Sequence, residues 1–584
     1  MRTARSKAIF VCIALVAAFS VCSGRLIHLQ YVEHEQFAAL AAEKHVVKIP
    51  VFAKRGRIID ANGEVLADNV AVKTVYADAS HISTPEAMRK VAGIAARQLQ
   101  LDESAVFSKL QTGRRYIVLK KEVDQITAHN LEAELGQKKL RGIYFIEDFH
   151  RVYPNNAMLA HVIGYLDHEH RGLAGIEKSM DAYLQGHDGY RYTERDRTGR
   201  EIVLYRGQER PAQNGYTVQT TVQLALQGII ERELAEACAK YKPRGATIIL
   251  MEPHTGAIMA MASWPTFDAN NANNVPPEVT KNHAIFDMYE PGSTFKIVVT
   301  SGALEDKMVN DKTLIYCEGG RFSYNNRVLR DHKAAGNLTV HDIIVNSSNI
   351  GSAKLALQMG EQRFYEYTRA FGFGEPTGID LPGEIRGRVN TPFGSDKLAI
   401  TRVPMGQAVS VTAIQMASAL SVIANGGHLM MPQIVSSIYS PDGQRIAHYD
   451  PVEVRRVISS GTAQKITAAL IDVTRKAATA AQVPGFLVAG KTGTAQKVRP
   501  DGKGYMDDHY IVSFNGFMPA DDPKFVCYVM VDDAKLPGHM NYGATVAAPI
   551  FSKVAEKVAR QLDLRPDPVL MAEQLKNASK QERD

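Results

Sequence analysis

The sequence predicts a mixed α+β fold behind one N-terminal apolar helix. Three observations carry that reading. Residues 8–24 form an uncharged run behind Arg2, Arg5 and Lys7, short for a membrane span but long for a signal-peptide core. Up to about residue 215 the apolar segments are short and punctuated by glycine, as in an extended α+β module. From Tyr216 onward strand, helix and again strand patterns follow one another, which describes a sheet closed by elements from both ends of a domain, with helices packed on it.

The chain accordingly divides into residues 1–25, a cytoplasmic stub and membrane anchor; 26–215, an α+β pedestal; 216–560, the sheet-and-helix domain; and 561–584, a polar tail expected to fray. In the first segment the positive flank keeps the N-terminus cytoplasmic and sends the remainder outward. A cleaved signal, with Ala18 and Ser20 as the small residues before a cut, is the alternative; Val21 before Cys22 argues against lipoprotein processing. The stretch after Arg25 continues the helix outward. Asn62-Gly63 between Ile58-Ile59 and Val65-Leu66 predicts a two-residue hairpin turn.

In the larger domain, "ATIILMEPHTGAIMAMAS" gives two strands around a turn, and helical patterns dominate from Phe295 to about Ala424. Strands return in "GFLVAGKTGTAQK" and in "YIVSFNGFMP", the latter paired across residues 520–523 with "KFVCYVMVDD".

Composition narrows the function. The net charge of +6 is scattered, with no basic stripe interleaved with aromatics and no helix-turn-helix signature, so nucleic acid is not an expected partner. Of five cysteines two lie in the apolar run, and Cys238, Cys317 and Cys527 are far apart, which supports neither a disulfide framework nor a metal site. The one dense group of possible ligands, residues 167–170, reads as a solvated turn. No metal and no cofactor are expected.

The chemistry begins at "YEPGSTFKIVV", where Lys296 follows Ser293 by three residues in front of an apolar run. If a helix starts at the serine, the two side chains share a face, and the unpaired amides of the helix start would stabilise negative charge on the serine or on an oxyanion. Alone, the pair also reads as a helix cap followed by a surface lysine. Downstream lie Ser347-Ser348-Asn349 before a helical pattern and Lys491-Thr492-Gly493-Thr494 on a strand pattern. Each is weak by itself, but in this order and in these local structures they form the three-part signature of serine acyltransferases that recognise penicillin.

At this point the chain resembles the class B penicillin-binding proteins, monofunctional peptidoglycan transpeptidases. The resemblance runs through nearly the whole chain: "RGRIIDANGEVLA", "RVYPNNAMLAHVIGY", "GLAGIE" and "RDRTGREI" match a non-catalytic, dimerisation-type pedestal, and "EPGSTFK", "SSN", "PMGQAVSVTAIQMASALSVIANGG", "AGKTGTA" and "FNGFMPADDPKFV" match a transpeptidase domain of the β-lactamase-like fold, a central antiparallel sheet flanked by helices. Ala61 and Ala544 depart from the usual arginine and glycine.

The resemblance implies roles for the motif residues. Ser293 is the nucleophile toward the penultimate D-alanine of a stem peptide, Lys296 its base, Ser347 the proton relay, and Asn349 the residue that orients Lys296 and the substrate amide. Lys491, Thr492 and Thr494 hold the terminal carboxylate, Gly493 lets the substrate backbone approach, and the amides of Ser293 and Thr494 form the oxyanion hole. It further implies β-lactams as covalent inhibitors, an inner-membrane anchor with the catalytic domain outside the cytoplasm, and a membrane glycosyltransferase and other division proteins as partners. A septal role is expected, with an elongation-type enzyme as the alternative.

Two rivals stand beside this reading. A β-lactamase shares the constellation but needs a group that activates deacylating water. None of Glu361, Glu366, Glu375, Glu384 or Glu453 is followed four residues later by the asparagine that one such class uses. A membrane-tethered β-lactam sensor or scaffold is the second, and the intact motifs weigh against a dead site.

Overall fold

The computed structural model describes residues 2–37, 46–82, 84–195, 201–202, 209–390, 396–499, 501–536 and 541–581. Residues 196–200 of the "RDRTGREI" segment, residues 38–45 after the anchor and residues 582–584 of the tail lie outside them. The chain forms two compact units interleaved in sequence. One holds Met1–Lys54, Asn69–His150 and Gly186–Asn214, and the other Arg55–Asp68, Arg151–Gln185 and Gly215–Asp584.

The uncharged run is helical throughout, in α1 (Arg2–Ile27). Extended by a π-helical turn at His28–Val32, it is the one helix among the described residues long and apolar enough to cross a membrane. In the same unit a strand through residues 69–77 pairs antiparallel with Ile117–Val123 and is also paired with Ile143–Val152. Helices Pro85–Leu99, Glu103–Gln111 and Gln125–Gln137 begin at Thr84, Asp102 and Asp124, each of which accepts a backbone N–H of the first turn. Their apolar faces form this unit's core around Val75, Val91, Leu99, Leu110 and Leu131.

The second unit is built on a five-stranded antiparallel sheet: β1 (Gly245–Met251), β2 (Ile258–Trp264), β3 (Ala489–Val498), β4 (Tyr505–Met518) and β5 (Phe525–Asp532), in the order β2-β1-β5-β4-β3. The sheet is closed by both ends of the domain, as the sequence predicts, and β3 is an edge. Side chains alternate across a strand, so neighbours Phe514 and Asn515 on β4 report its two faces. The Phe514 ring lies 4.6 Å from that of Phe551 on α6 (Ala547–Gln561), whereas Asn515 donates to the Met416 carbonyl on α5 (Ala413–Ala424) at 2.7 Å. The sheet is therefore sandwiched between those helices. Every residue of α5 is buried, which explains its continuously apolar sequence. The remaining helices used below are α2 (Leu224–Tyr241), α3 (Lys296–Glu305), α4 (Asn349–Met359) and α7 (Pro568–Gln581).

Three local expectations are corrected. The turn at Asn62-Gly63 is wider than two residues. The buried Asp60 carboxylate accepts the amides of Asn62 and Glu64, at 2.7 and 2.9 Å, and that of Leu224 at the start of α2, at 3.0 Å, so the loop is organised by a side chain and only Gly63 takes positive φ. The helical stretch after Phe295 contains two small hairpins, one pairing Leu314–Tyr316 with Asn337–Thr339 and the other Arg321–Tyr324 with Arg327–Arg330. The tail is helical through Gln581: Asp567 caps α7 through the amides of Val569 and Leu570, and Gln574 bonds Gly485 and Phe486.

Motifs far apart in sequence also meet in this unit. The fully buried Glu177 accepts from Arg55 Nε at 2.6 Å, from Arg151 Nε at 2.7 Å and from the Tyr153 hydroxyl at 3.2 Å. Arg55 also reaches Asp181 at 2.6 Å, and Arg151 donates to the Gly56 carbonyl at 2.7 Å. Removing one partner of such a cluster strands the other charges. Glu177→Leu is therefore expected to destabilise this unit by about 3 kcal/mol or more. A thermal or denaturant midpoint that moves by the equivalent of less than about 1 kcal/mol, the size of an exposed pair, would refute that weight.

Candidate active site

Gly292 turns the chain into the motif serine with φ +59°, a left-handed conformation that glycine adopts freely. A Cβ there would stand 2.9 Å from the Thr494 carbonyl oxygen, so glycine also permits close contact with β3. Ser293 then sits in a 3-10 turn, Gly292–Phe295, that runs into α3. The expected helix start is thus a tighter turn, closed by Thr294 Oγ1 donating to the Pro291 carbonyl at 2.9 Å.

Lys296, the first residue of α3, is completely buried. Its Nζ lies 3.0 Å from Ser293 Oγ, 3.1 Å from Ser347 Oγ, 2.6 Å from the Ser347 carbonyl oxygen and 2.8 Å from Asn349 Oδ1. Ser347 Oγ is 2.8 Å from Ser293 Oγ. Four oxygens face an ammonium that has three protons, whereas a neutral amine donates two and offers its lone pair to a hydroxyl. Burial pushes the Lys296 amine well below the ordinary lysine range, and the charge of Lys491 adds to this, while Asp331 opposes it.

The Ser-Ser-Asn segment divides its work by residue. Ser348 is the N-cap of α4 and accepts the Gly351 amide at 2.9 Å. Ser347, just before it, takes φ +56°, a strained value for a side-chain-bearing residue, which turns its hydroxyl away from the cap and toward Ser293. Asn349 is held at both ends of its amide, by Lys296 at Oδ1 and by the Arg330 carbonyl, which accepts from Nδ2 at 3.0 Å.

Asp331, which carries no sequence motif, braces this segment. Its carboxylate accepts Ser348 Oγ at 2.6 Å and the amides of Asn349 and Ile350 at 2.5 and 3.0 Å. An anion at the start of α4 is also favoured by the helix dipole. Glu290, before the nucleophile turn, likewise escaped the sequence reading. It accepts the Ala408 amide at 2.8 Å and the Tyr505 hydroxyl at 3.1 Å. Only folding brings residues so distant in sequence together.

Lys491 is 2% exposed and forms no hydrogen bond among the described residues. Burial lowers its amine to about 8. Thr492 is half-buried opposite Phe514, and Thr494 Oγ1 accepts the Gly543 amide at 3.1 Å. The sequence reading gives Gly493 to the substrate's approach, but the fold makes its own demand there. A Cβ at Gly493 would meet Ser513 Oγ at 2.4 Å and the Pro291 carbonyl at 2.9 Å, so the nucleophile turn packs directly on the strand. That contact and the one at Gly292 set Ser293 and Thr494 at one corner of the cleft.

Ser293, Lys296, Ser347 and Asn349 therefore form one hydrogen-bonded cluster, with Lys491 coupled to it through its charge. The arrangement supplies a hydroxyl, an amine whose basicity is lowered, a second hydroxyl beside the first and a buried lysine, which together suit acyl transfer through a serine ester. Among the described residues no group of His, Cys, Asp and Glu could hold a metal ion.

Residues 246–556 match the family of penicillin-binding protein transpeptidase domains, and residues 50–220 match penicillin-binding protein dimerisation domains. The chain is 34% identical to stage V sporulation protein D of Bacillus subtilis, over 97% of this chain and 87% of that protein. It is 29% identical to the peptidoglycan D,D-transpeptidase FtsI of Escherichia coli, over 95% and 91%. Among solved structures it resembles a peptidoglycan synthetase from Bifidobacterium adolescentis, with TM-score 0.72, 25% identity and coverage of 89% and 98%. It also resembles penicillin-binding protein 3 of Mycobacterium tuberculosis complexed with ampicillin, with TM-score 0.70, 26% identity and coverage of 89% and 98%. With the Ser293–Lys296 pair, the Ser-Ser-Asn turn and the Lys-Thr-Gly strand assembled around one cleft, the chain belongs to the class B penicillin-binding proteins.

Proposed function

We propose that the protein is a peptidoglycan D,D-transpeptidase that works through an acyl-enzyme on Ser293. The observation that carries this is the contact of Ser293 Oγ with both Lys296 Nζ, at 3.0 Å, and Ser347 Oγ, at 2.8 Å. Neutral Lys296 takes the Ser293 proton as Oγ bonds to the carbonyl carbon of the penultimate D-alanine. The proton then passes by way of Ser347 to the nitrogen of the terminal D-alanine, which leaves as the amine, and Ser293 is left as an ester. An acceptor amine attacks that ester, returns a proton by the same route and frees Ser293. The amides of Ser293 and Thr494 stabilise the oxyanion in both halves, and Lys491 with Thr492 and Thr494 holds the terminal carboxylate.

The anchor α1 stays in the cytoplasmic membrane with its basic flank inside and the chain that follows it outside, in keeping with the positive-inside rule. A membrane glycosyltransferase that supplies the glycan strand completes the assembly. Within this activity the protein acts at the division septum. A fluorescent fusion to the full chain is expected at midcell, and labelling confined to the side wall would assign it to elongation instead.

Ser293→Ala is expected to abolish covalent labelling by benzylpenicillin while leaving the thermal transition unchanged within about 0.5 kcal/mol, since it removes one partly buried hydroxyl. Persistent labelling at another serine would reassign the nucleophile.

The pH dependence of kcat/KM separates this mechanism from that of a histidine-dependent hydrolase. Activity needs neutral Lys296 and so rises with pH through its pKa; it needs charged Lys491 and so falls above about 8. Lys491→Ala removes a like charge, which raises the Lys296 pKa and moves the acidic limb to higher pH, and it removes the alkaline limb. Asp331→Asn removes an opposite charge and moves the acidic limb to lower pH. Limbs that moved in the same direction in both variants would contradict the assignment of Lys296 as base.

A further inference from the structure

The second small hairpin, Arg321–Tyr324 with Arg327–Arg330, projects a single sign of charge. Its turn is Asn325-Asn326, both residues with positive φ, which gives a two-residue ribbon in fixed register. In that register Arg321 lies directly opposite Arg330, and Ser323 opposite Val328. The alternate positions, Phe322 and Tyr324, stack with centroids 6.3 Å apart, and Lys354 Nζ lies 4.9 Å from the Phe322 ring and is neutralised by Glu318 at 2.6 Å. Aromatic packing thus holds one face. On the other, two exposed guanidinium groups stand across from each other, an arrangement that destabilises a ribbon.

Nothing on the ribbon offsets this cost. Arg321, Arg327, Arg330 and Lys333 are all exposed, and none forms an ion pair among the described residues. Both acids nearby in sequence are engaged elsewhere: Glu318 with Lys354, at 2.6 Å, and Asp331 inward with Ser348, Asn349 and Ile350.

The ribbon also touches the cleft. The Arg330 carbonyl accepts from Asn349 Nδ2 at 3.0 Å, and Asn349 Oδ1 is 2.8 Å from Lys296 Nζ. On the far rim the His332 ring meets that of Tyr542 at 6.3 Å, next to Gly543, whose amide bonds Thr494. Residues 330–332 therefore contact both the Ser-Ser-Asn and the Lys-Thr-Gly sides of the site. The cations of the ribbon therefore sit on a segment that borders the site.

We propose that this ribbon, through Arg321, Arg330 and Lys333, is a subsite for the free side-chain and α-carboxylates of the stem peptide upstream of its D-alanyl-D-alanine end. The proposal rests on the acyl-transfer reading above and names the feature of the substrate that selects it. A carboxylate between Arg321 and Arg330 removes their mutual repulsion and forms charge-assisted hydrogen bonds with both. Lys491 reads the terminal carboxylate and the ribbon reads the others, so the peptide is recognised on both sides of the reacting bond.

The test uses the full-length protein in detergent and two synthetic pentapeptide donors that end in D-alanyl-D-alanine. In one the upstream carboxyl groups are free; in the other they are amidated. The ratio of the two kcat/KM values for acylation of Ser293 is compared between the wild type and Arg321→Gln/Lys333→Gln, so that a general loss of activity cancels.

The wild type is expected to prefer the free acids by about fivefold at low salt, and the preference is expected to shrink in the variant and at high ionic strength. Equal acylation of both donors by the wild type, or a preference kept in full by the variant, would overturn the subsite. Failure of both donors to acylate Ser293 would instead overturn the transpeptidase reading itself. Inhibition by inorganic pyrophosphate that weakens in the variant, with no carboxylate preference in either protein, would reassign the ribbon to phosphate groups of a lipid-linked precursor and reject the peptide carboxylate.

Discussion

A primary amine sealed from solvent beside a serine hydroxyl, with no direct counter-ion among the described residues, is the constraint on which the site depends. Charging a buried amine is costly, so Lys296 reaches neutrality at a pH where an exposed lysine would be fully protonated. The oxygens of Ser293, Ser347 and Asn349 hold the neutral amine in place while leaving its lone pair directed at a hydroxyl. The strained φ of Ser347 follows from this, because an unstrained serine before the cap of α4 would not bring its hydroxyl to Ser293. Asp331 offsets part of that strain by fixing the cap, Ser348, and the two residues after it.

Close backbone packing makes the geometry durable. Four segments that are remote in sequence converge at glycines: a Cβ on Gly406 would stand 2.1 Å from the Gly292 carbonyl oxygen, and one on Gly543 would stand 2.6 Å from that of Gly493. Main chain lies directly against main chain there, and contacts of that kind have no rotamers through which to relax. The separation between the nucleophile turn and the edge strand β3 is therefore set by atomic radii. An oxyanion pocket needs such a fixed spacing, since its donors must stand ready before charge develops.

What the sequence disclosed follows the same division between local and distant constraints. Ser293 and Lys296 were legible because three residues of spacing suffice to bring them together, and the strands flanking residues 520–523 were legible because alternation and a short turn dictate their pairing. Asp331, Glu290 and the glycine at 406 were not legible as parts of the site. Each acts on a partner reached only through the fold, and none has a local pattern that differs from an ordinary loop. Asn62-Gly63 misled in the opposite way: the dipeptide has a strong local preference, but the buried Asp60 carboxylate imposed a wider loop. The helical end of α7 was hidden by its polar composition, because its stability comes from a cap and from Gln574 rather than from an apolar stripe.

The two lysines of the cleft are coupled in a way that links recognition to reactivity. Lys491 is held at the edge of the sheet with no hydrogen-bond acceptor among the described residues, at the cost of desolvating its charge, and that charge lowers the basicity of Lys296. On the proposed mechanism, a substrate carboxylate that pairs with Lys491 would supply the missing acceptor and cancel the field at Lys296. The Lys296 pKa would then rise while the serine hydroxyl is within 3.0 Å, so the amine would become a stronger base only after the correct peptide end has been seated. In the empty site burial, aided by the same field, already lowers the basicity of Lys296. On the proposed mechanism, binding would turn an amine whose basicity is lowered by burial and by its neighbour into a stronger base toward Ser293, with a single electrostatic contact serving both selection and activation.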